Sequence, residues 1–207
     1  MNTGTKAYKE IKNLPIGLIS GARFTKDNQT IFFNQSTAQS ASDVYQLNIK
    51  TAKIERWTES ELGEMQPSDM SVPKFIEWKS FDDLKISGFY YPASPKFKGK
   101  RPVIIMIHGG PEGQSMASFL DSNNFYTSEM GVSLVYPNVR GSSGFGKTYL
   151  EKDNGFLRED SVKDIGALLD WIAKQPEVDK DKIMIMGRSY GGYLTLATAF
   201  HYAEWIK

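Results

Sequence analysis

The sequence predicts an α/β fold over most of its length: a mainly parallel sheet with helices on both faces, preceded by short strands spaced like one blade of a β-propeller. Three observations carry this reading. From residue 102 onward, continuous apolar runs alternate with helix-periodic segments, and strands covered on both faces read as unbroken apolar runs. Between Ser20 and Trp57 the runs are shorter, alternate with period two and are separated by polar turns. Ser189, in Gly187-Arg188-Ser189-Tyr190-Gly191, stands between an apolar run and a helical one, where a tight strand-to-helix turn belongs.

Composition bounds the chemistry. The 207 residues carry 25 Lys+Arg against 24 Asp+Glu, a net charge of +1, so no electrostatic feature points to nucleic acid or an anionic membrane surface as a partner. Cysteine is absent, which removes disulfides and thiolate catalysis and leaves serine as the nucleophile to consider. Residues 1–15 are polar and lysine-bearing, and no apolar run approaches the ~20 residues of a membrane span. The chain as written therefore reads as soluble and cytoplasmic with no export signal, and a secreted or periplasmic parent is compatible with it. No cofactor and no metal is expected.

Taken in order, residues 30–34, 43–49 and 53–57 read as strands, with Lys50-Thr51-Ala52 as a turn. They suit the last blade of a propeller, and the plainer alternative is a small antiparallel sheet leaning on the domain that follows. Residues 58–73 are polar, with Gly63, Pro67 and Pro73, and read as a linker. The domains are accordingly 1–72 and 73–207. Residues 75–79 and 84–91 alternate around Ser80-Phe81-Asp82-Asp83 as an antiparallel hairpin. Residues 102–107 form a buried strand ending in His108-Gly109-Gly110-Pro111, residues 118–130 a helix, and residues 132–136 a second buried strand. A further helix is expected from Ser161, with Ser161 and Asp164 as an S-x-x-D cap, Val162, Ile165, Leu168, Leu169 and Ile172 as one apolar face, and Pro176 just past its end. Residues 182–186 are the strand before Ser189, and residues 190–206 the helix after it.

Two motifs compete. Gly141 to Thr148 satisfies G-x-x-x-x-G-K-[ST], but four residues separate it from the preceding strand and a polar, broken segment follows, which is not the strand–loop–helix that cradles phosphates. Around Ser189, Gly187 and Gly191 leave room for a tight turn that pushes the serine hydroxyl outward, and the following helix directs free N–H groups to the same place.

Three segments stand in fixed order: His108-Gly109-Gly110-Pro111-Glu112-Gly113-Gln114, Pro137-Asn138-Val139-Arg140-Gly141-Ser142-Ser143-Gly144-Phe145-Gly146, and Gly187-Arg188-Ser189-Tyr190-Gly191-Gly192-Tyr193. Together they resemble the prolyl oligopeptidase family of serine peptidases, most like its acylaminoacyl-peptidase and dipeptidyl-peptidase branches. The resemblance implies that residues 73–207 are the N-terminal part of an α/β-hydrolase domain and that a propeller precedes it. It implies Ser189 as the nucleophile that forms an acyl-enzyme on a short peptide substrate, and the N–H groups of Tyr190 and Gly110 as the oxyanion hole. It also places His108 beside that hole, as an auxiliary that orients the turn or contacts the intermediate, or as a ring that merely braces the loop. A carboxylesterase or lipase of the same fold, and a non-catalytic interaction module, are the alternatives.

The histidines depart from the pattern. In that fold the acid and the histidine of the triad follow the serine, and of the two histidines His108 precedes it while His201 lies 12 positions beyond it on one helix, about 18 Å along the axis. Neither reaches the Ser189 hydroxyl. The expectation is a fragment: a serine hydrolase by family, with little activity in this chain alone and an apolar sheet edge prone to self-association.

Overall fold

The computed structural model describes residues 4–12 and 14–207, so residues 1–3 and 13 of the polar N-terminal stretch lie outside the described residues. The chain divides into two compact units, residues 1–65 with 117–119 and residues 66–116 with 120–207.

The first unit holds four strands, β1 (Gly17–Phe24), β2 (Thr30–Thr37), β3 (Ser40–Asn48) and β4 (Ile54–Arg56), paired antiparallel in the order β1-β2-β3-β4. Alternation sorts β3 as the period-two pattern requires: Asp43, Tyr45 and Leu47 are buried while their neighbours are not. Phe33 of β2 stacks on Tyr45, ring centroids 5.8 Å apart. β1 begins before the predicted run, and all its residues are exposed. Its pairing with β2 shifts between Ser20 and Arg23, with Gly21 at φ +62° supplying the irregular residue. The buried Asp43 carboxylate ties β3 to the chain after β4, accepting from Arg56 Nη2 at 2.6 Å, Ser40 Oγ at 2.5 Å and the Ser60 backbone N–H at 2.8 Å.

The second unit is built on β5 (Lys74–Lys79), β6 (Lys85–Tyr91), β7 (Arg101–Ile107), β8 (Ser133–Asn138) and β9 (Val178–Gly187), in the order β5-β6-β8-β7-β9. The β5–β6 hairpin forms where the alternation puts it, closing at Lys79↔Lys85. Pairings β7–β8 and β7–β9 are parallel, whereas β5–β6 and β6–β8 are antiparallel. The sheet is thus evenly mixed rather than mainly parallel. β7 reaches its parallel neighbour β8 through the long connection 108–132, as parallel pairing requires, whereas β6 finds its partner β8 out of chain order and antiparallel.

Among the described residues four α-helices accompany this sheet: α1 (Asn124–Ser128), α2 (Lys147–Leu150), α3 (Arg158–Ala173) and α4 (Tyr190–His201). The helix expected over 118–130 contracts to α1, preceded by a single 3-10 turn. Thr127 and Ser128 turn their hydroxyls back onto the Asn124 carbonyl, at 3.1 and 2.7 Å, the local competition that weakens helices rich in such residues. α3 starts three residues before Ser161, so Ser161 and Asp164 are not its cap. Both are buried in its interior face, and the Ser161 hydroxyl donates to the Arg158 carbonyl at 2.6 Å. Glu159 and Asp160 occupy the first turn instead, where negative charge meets the positive end of the helix dipole. α4 stops at His201 rather than continuing to Ile206. Tyr202 leaves helical geometry, its ring seated where a side chain on Gly166 would lie only 2.3 Å away, and Ile206 pairs in parallel with Ile183.

Val103, Ile105 and Ile107 of β7 share one core with Ile165, Leu169 and Ile172 of α3 and Leu194 of α4. The predicted apolar stripe of α3 is entirely within it. Each such side chain removed from water contributes about 1.5–3 kcal/mol.

Candidate active site

Ser189 is exposed and, with Arg188, makes the two-residue connection from β9 to α4. Its backbone sits at φ 57°, ψ −121°, a conformation that a residue with a side chain rarely adopts and that must be enforced by its surroundings. The enforcing contacts are glycine contacts. A Cβ on Gly187 would lie 2.3 Å from the Gly191 carbonyl oxygen, and one on Gly191 would lie 2.2 Å from the oxygen of Ile107. Only hydrogen at both positions lets α4 start against the ends of β7 and β9. The Gly191 N–H then donates to Arg188 and the N–H groups of Gly192 and Tyr193 to Ser189. Among the described residues the N–H groups of Tyr190 and Gly110 donate to no backbone carbonyl.

The His108–Pro111 turn leaves the end of β7 and passes beside the serine: a Cβ on Gly109 would lie 3.5 Å from Ser189 Cβ. Gly110 has φ +137°, and the Gly110–Pro111 bond is cis. His108 Nδ1 donates to the Gly109 carbonyl at 2.8 Å, and Nε2 lies 2.9 Å from Ser142 Oγ. Burial pushes the His108 ring below its usual pKa, opposed by the Gly109 carbonyl. Ser142 is fully buried, and its single hydroxyl hydrogen is shared between Val139 O at 2.6 Å and His108 Nε2, which accepts because the ring proton is on Nδ1. Ser143 N–H donates to Gly113 O at 2.9 Å, a second tie between the two glycine-rich loops.

Beneath the second loop lies a buried charge pair that the sequence reading missed. Arg140 donates to Asp164 through its backbone N–H at 2.9 Å and through Nη2 at 2.8 Å, and to Asp82 at 2.9 Å. Ser80 Oγ donates to the same Asp164 carboxylate at 2.5 Å. Burial drives the Asp164 carboxyl up while Arg140 and Ser80 pull it back, and the hydrogen bond from Arg140 holds Asp82 below its usual range. The available signal was a charged residue on the apolar stripe of α3, since a buried carboxylate demands a partner. Likewise Asp153, buried, accepts from the Tyr190 hydroxyl at 2.9 Å, and Arg158 lies 5.0 Å over the Tyr190 ring. A cavity of about 450 Å³ opens here, lined by Phe156, Arg158, Glu159, Tyr190 and Tyr193.

The competing glycine-rich motif forms no phosphate cradle. Ser142 is turned inward, the Asp153 carboxylate packs against Gly141, and α2 has four residues, with Lys147 exposed and paired to Glu151 at 3.6 Å. His201 ends α4, 3.7 Å from Glu159. The structure therefore brings Ser189, the His108–Gly110 turn and the start of α4 together, and leaves His201 apart. Among the described residues no helix is long and apolar enough to cross a membrane.

Comparison with known proteins converges on one family. Residues 118–205 match the model of the prolyl oligopeptidase family. Acylamino-acid-releasing enzyme 1 of Oryza sativa subsp. japonica is 36% identical over 100 residues, covering 48% of this chain and 13% of that protein. Dipeptidyl aminopeptidase BIII of Pseudoxanthomonas mexicana is 34% identical over 95 residues, covering 46% and 14% respectively. A solved prolyl endopeptidase matches the fold with a TM-score of 0.83 at 20% identity, over 97% of this chain and 29% of its own. The chain thus spans less than a third of the length of each of these proteins. The family matched over residues 118–205 is the one that the three motifs resemble.

Proposed function

We propose that this chain carries the acylating half of a serine peptidase site, in which the Ser189 hydroxyl attacks the carbonyl of a short peptide to form an acyl-enzyme. The observation that carries the reading is the strained, exposed Ser189 at the start of α4, beside the His108–Gly110 turn. The N–H groups of Tyr190 and Gly110 hold the tetrahedral oxyanion, each worth about 3 kcal/mol of transition-state stabilisation. His108 orients the turn through the Gly109 carbonyl. It is not the base, because both its ring nitrogens are engaged within the loops, and His201 stands about 18 Å along α4 from the serine. A general base must lie within about 3 Å of the proton it takes, so the 207 residues alone acylate slowly.

The test is mass spectrometry of the chain after incubation with an activated nitrophenyl ester and, separately, a fluorophosphonate. Slow acylation confined to Ser189 and absent in Ser189→Ala supports the proposal. Labelling unchanged in Ser189→Ala sinks it, and rapid stoichiometric fluorophosphonate labelling contradicts the missing base. Paired assays on a dipeptidyl anilide and a short-chain ester separate the peptidase from an esterase of the same fold. The reading of β1–β4 as a propeller blade is supported by their simple antiparallel order. Self-association through β9, an outer strand of its sheet, is tested by light scattering, where a monodisperse monomer counts against it.

A further inference from the structure

We propose that Ser142 is a positioning residue of this site: its hydroxyl holds the His108 ring in the orientation that fixes the Gly109–Gly110 peptide plane. In a trans peptide the C=O and the following N–H point in opposite directions. His108 Nδ1–H donates to the Gly109 carbonyl at 2.8 Å, so the ring holds that oxygen on its own side and turns the Gly110 N–H to the other. The plane would otherwise be free to flip, because neither glycine has a side chain to restrict it. What holds the ring is its far nitrogen, Nε2, which in this Nδ1–H form accepts from the Ser142 hydroxyl at 2.9 Å, as one arm of a hydrogen bond shared with Val139 O.

Ser142 is suited to this by its own anchoring. It is fully buried, the second arm of its shared hydroxyl hydrogen falls on Val139 O at 2.6 Å and so keeps Oγ in place, and two residues earlier the Arg140 N–H and guanidinium are fastened to Asp164 in the core of α3. The orientation of one peptide plane is thereby referred back to the longest helix of the unit. Ser142 touches neither substrate nor reacting atoms in this arrangement and acts through His108. The inference rests on the proposed reading of Gly110 as an oxyanion donor for its consequence in catalysis, but not for its geometry.

The experiment is NMR of the 207-residue chain carrying His201→Gln and labelled at the remaining histidine, comparing Ser142 with Ser142→Ala, Ser142→Cys and Ser142→Thr. With Ser142 intact, His108 is expected in a single Nδ1–H form with one Gly110 amide environment. In the Ala and Cys variants the preference for that form falls about tenfold, the worth of one buried hydrogen bond, and the Gly110 amide resonance moves or splits. Cys keeps nearly the volume of Ser, so a loss of folding in Ala does not remove the test. Ser142→Thr, which restores the hydroxyl, returns both signals. An unmoved ring and amide in Ala and Cys overturns the proposal, as does a Thr variant that behaves like Ala. Acylation of Ser189 is followed in the same samples. If the ring and amide respond while Ser189 never acylates, the catalytic reading fails and the role of Ser142 stands. If Ser189 acylates while the ring and amide do not respond, the catalytic reading stands and the role of Ser142 fails.

Discussion

The two sheets of this chain solve the same problem with different means. The β1–β4 sheet has a buried cluster of three apolar side chains, Phe33, Tyr45 and Leu47, and relies on a buried carboxylate, Asp43, to bind its strands. The β5–β9 sheet has a core shared with two helices, and its buried charge pair serves a loop rather than the sheet itself. The difference teaches where precision is placed. A sheet covered by helices can support a strained residue such as Ser189 at its edge, because the packing beneath it over-determines the turn.

Perturbations should separate these two modes. The largest effect is expected from Asp164→Ala, which leaves the Arg140 guanidinium buried with only partial compensation. A loss of about 3–5 kcal/mol is anticipated, read by hydrogen exchange in β7–β9 with β2 and β3 unchanged; equal loosening of both sheets would break the comparison. Next, Leu169→Ala in α3 should cost about 3–5 kcal/mol in denaturant unfolding, and Leu47→Ala in the smaller cluster nearer 2, since a thin core collapses around a cavity more easily. If the two costs are equal, the first sheet is better packed than its cluster implies.

The Asp43 experiment is one of pH. Burial alone would raise its carboxyl, but hydrogen bonds from Ser40, Arg56 and Ser60 overrule it and hold the pKa at about 2. A depressed folded-state pKa contributes stability that is present above about pH 4 and lost as pH falls toward 2, here about 2 kcal/mol. Amides of β2 and β3 should lose protection through that window, and Asp43→Asn should lower protection at neutral pH and abolish the dependence. The smallest effect belongs to Lys79→Ala. Its ion pair with Asp83 is exposed on both sides, and removing it should shift stability by less than about 0.5 kcal/mol; a larger change would mean the hairpin turn depends on it.

The sequence carried much of this in its local patterns. The hairpin of β5 and β6, the apolar strands β7 and β8, the stripe of α3 and the serine turn are all set by side-chain periodicity and by glycines whose neighbours leave no room for a Cβ, and these are properties of short segments. Where reading failed, competition was the cause. The 118–130 segment has helical spacing, but its Asn, Thr and Ser side chains bond the backbone locally. The S-x-x-D pattern at Ser161 looked like a cap because a polar residue near a helix start usually is one, whereas here both residues turn inward.

By itself, then, the sequence determined which residues could make the elbow, since only Gly187 and Gly191 permit so tight a strand-to-helix turn around Ser189. Only the tertiary structure decided what surrounds it. Ser142 meets His108 across 34 positions of sequence and Arg140 meets Asp164 across 24; Asp153 meets Tyr190 across 37. Such contacts are made by the order in which strands pair and the side on which helices pack, and no local periodicity encodes them. The mixed direction of the sheet was settled in the same way, by which neighbour each strand found rather than by what each strand is made of.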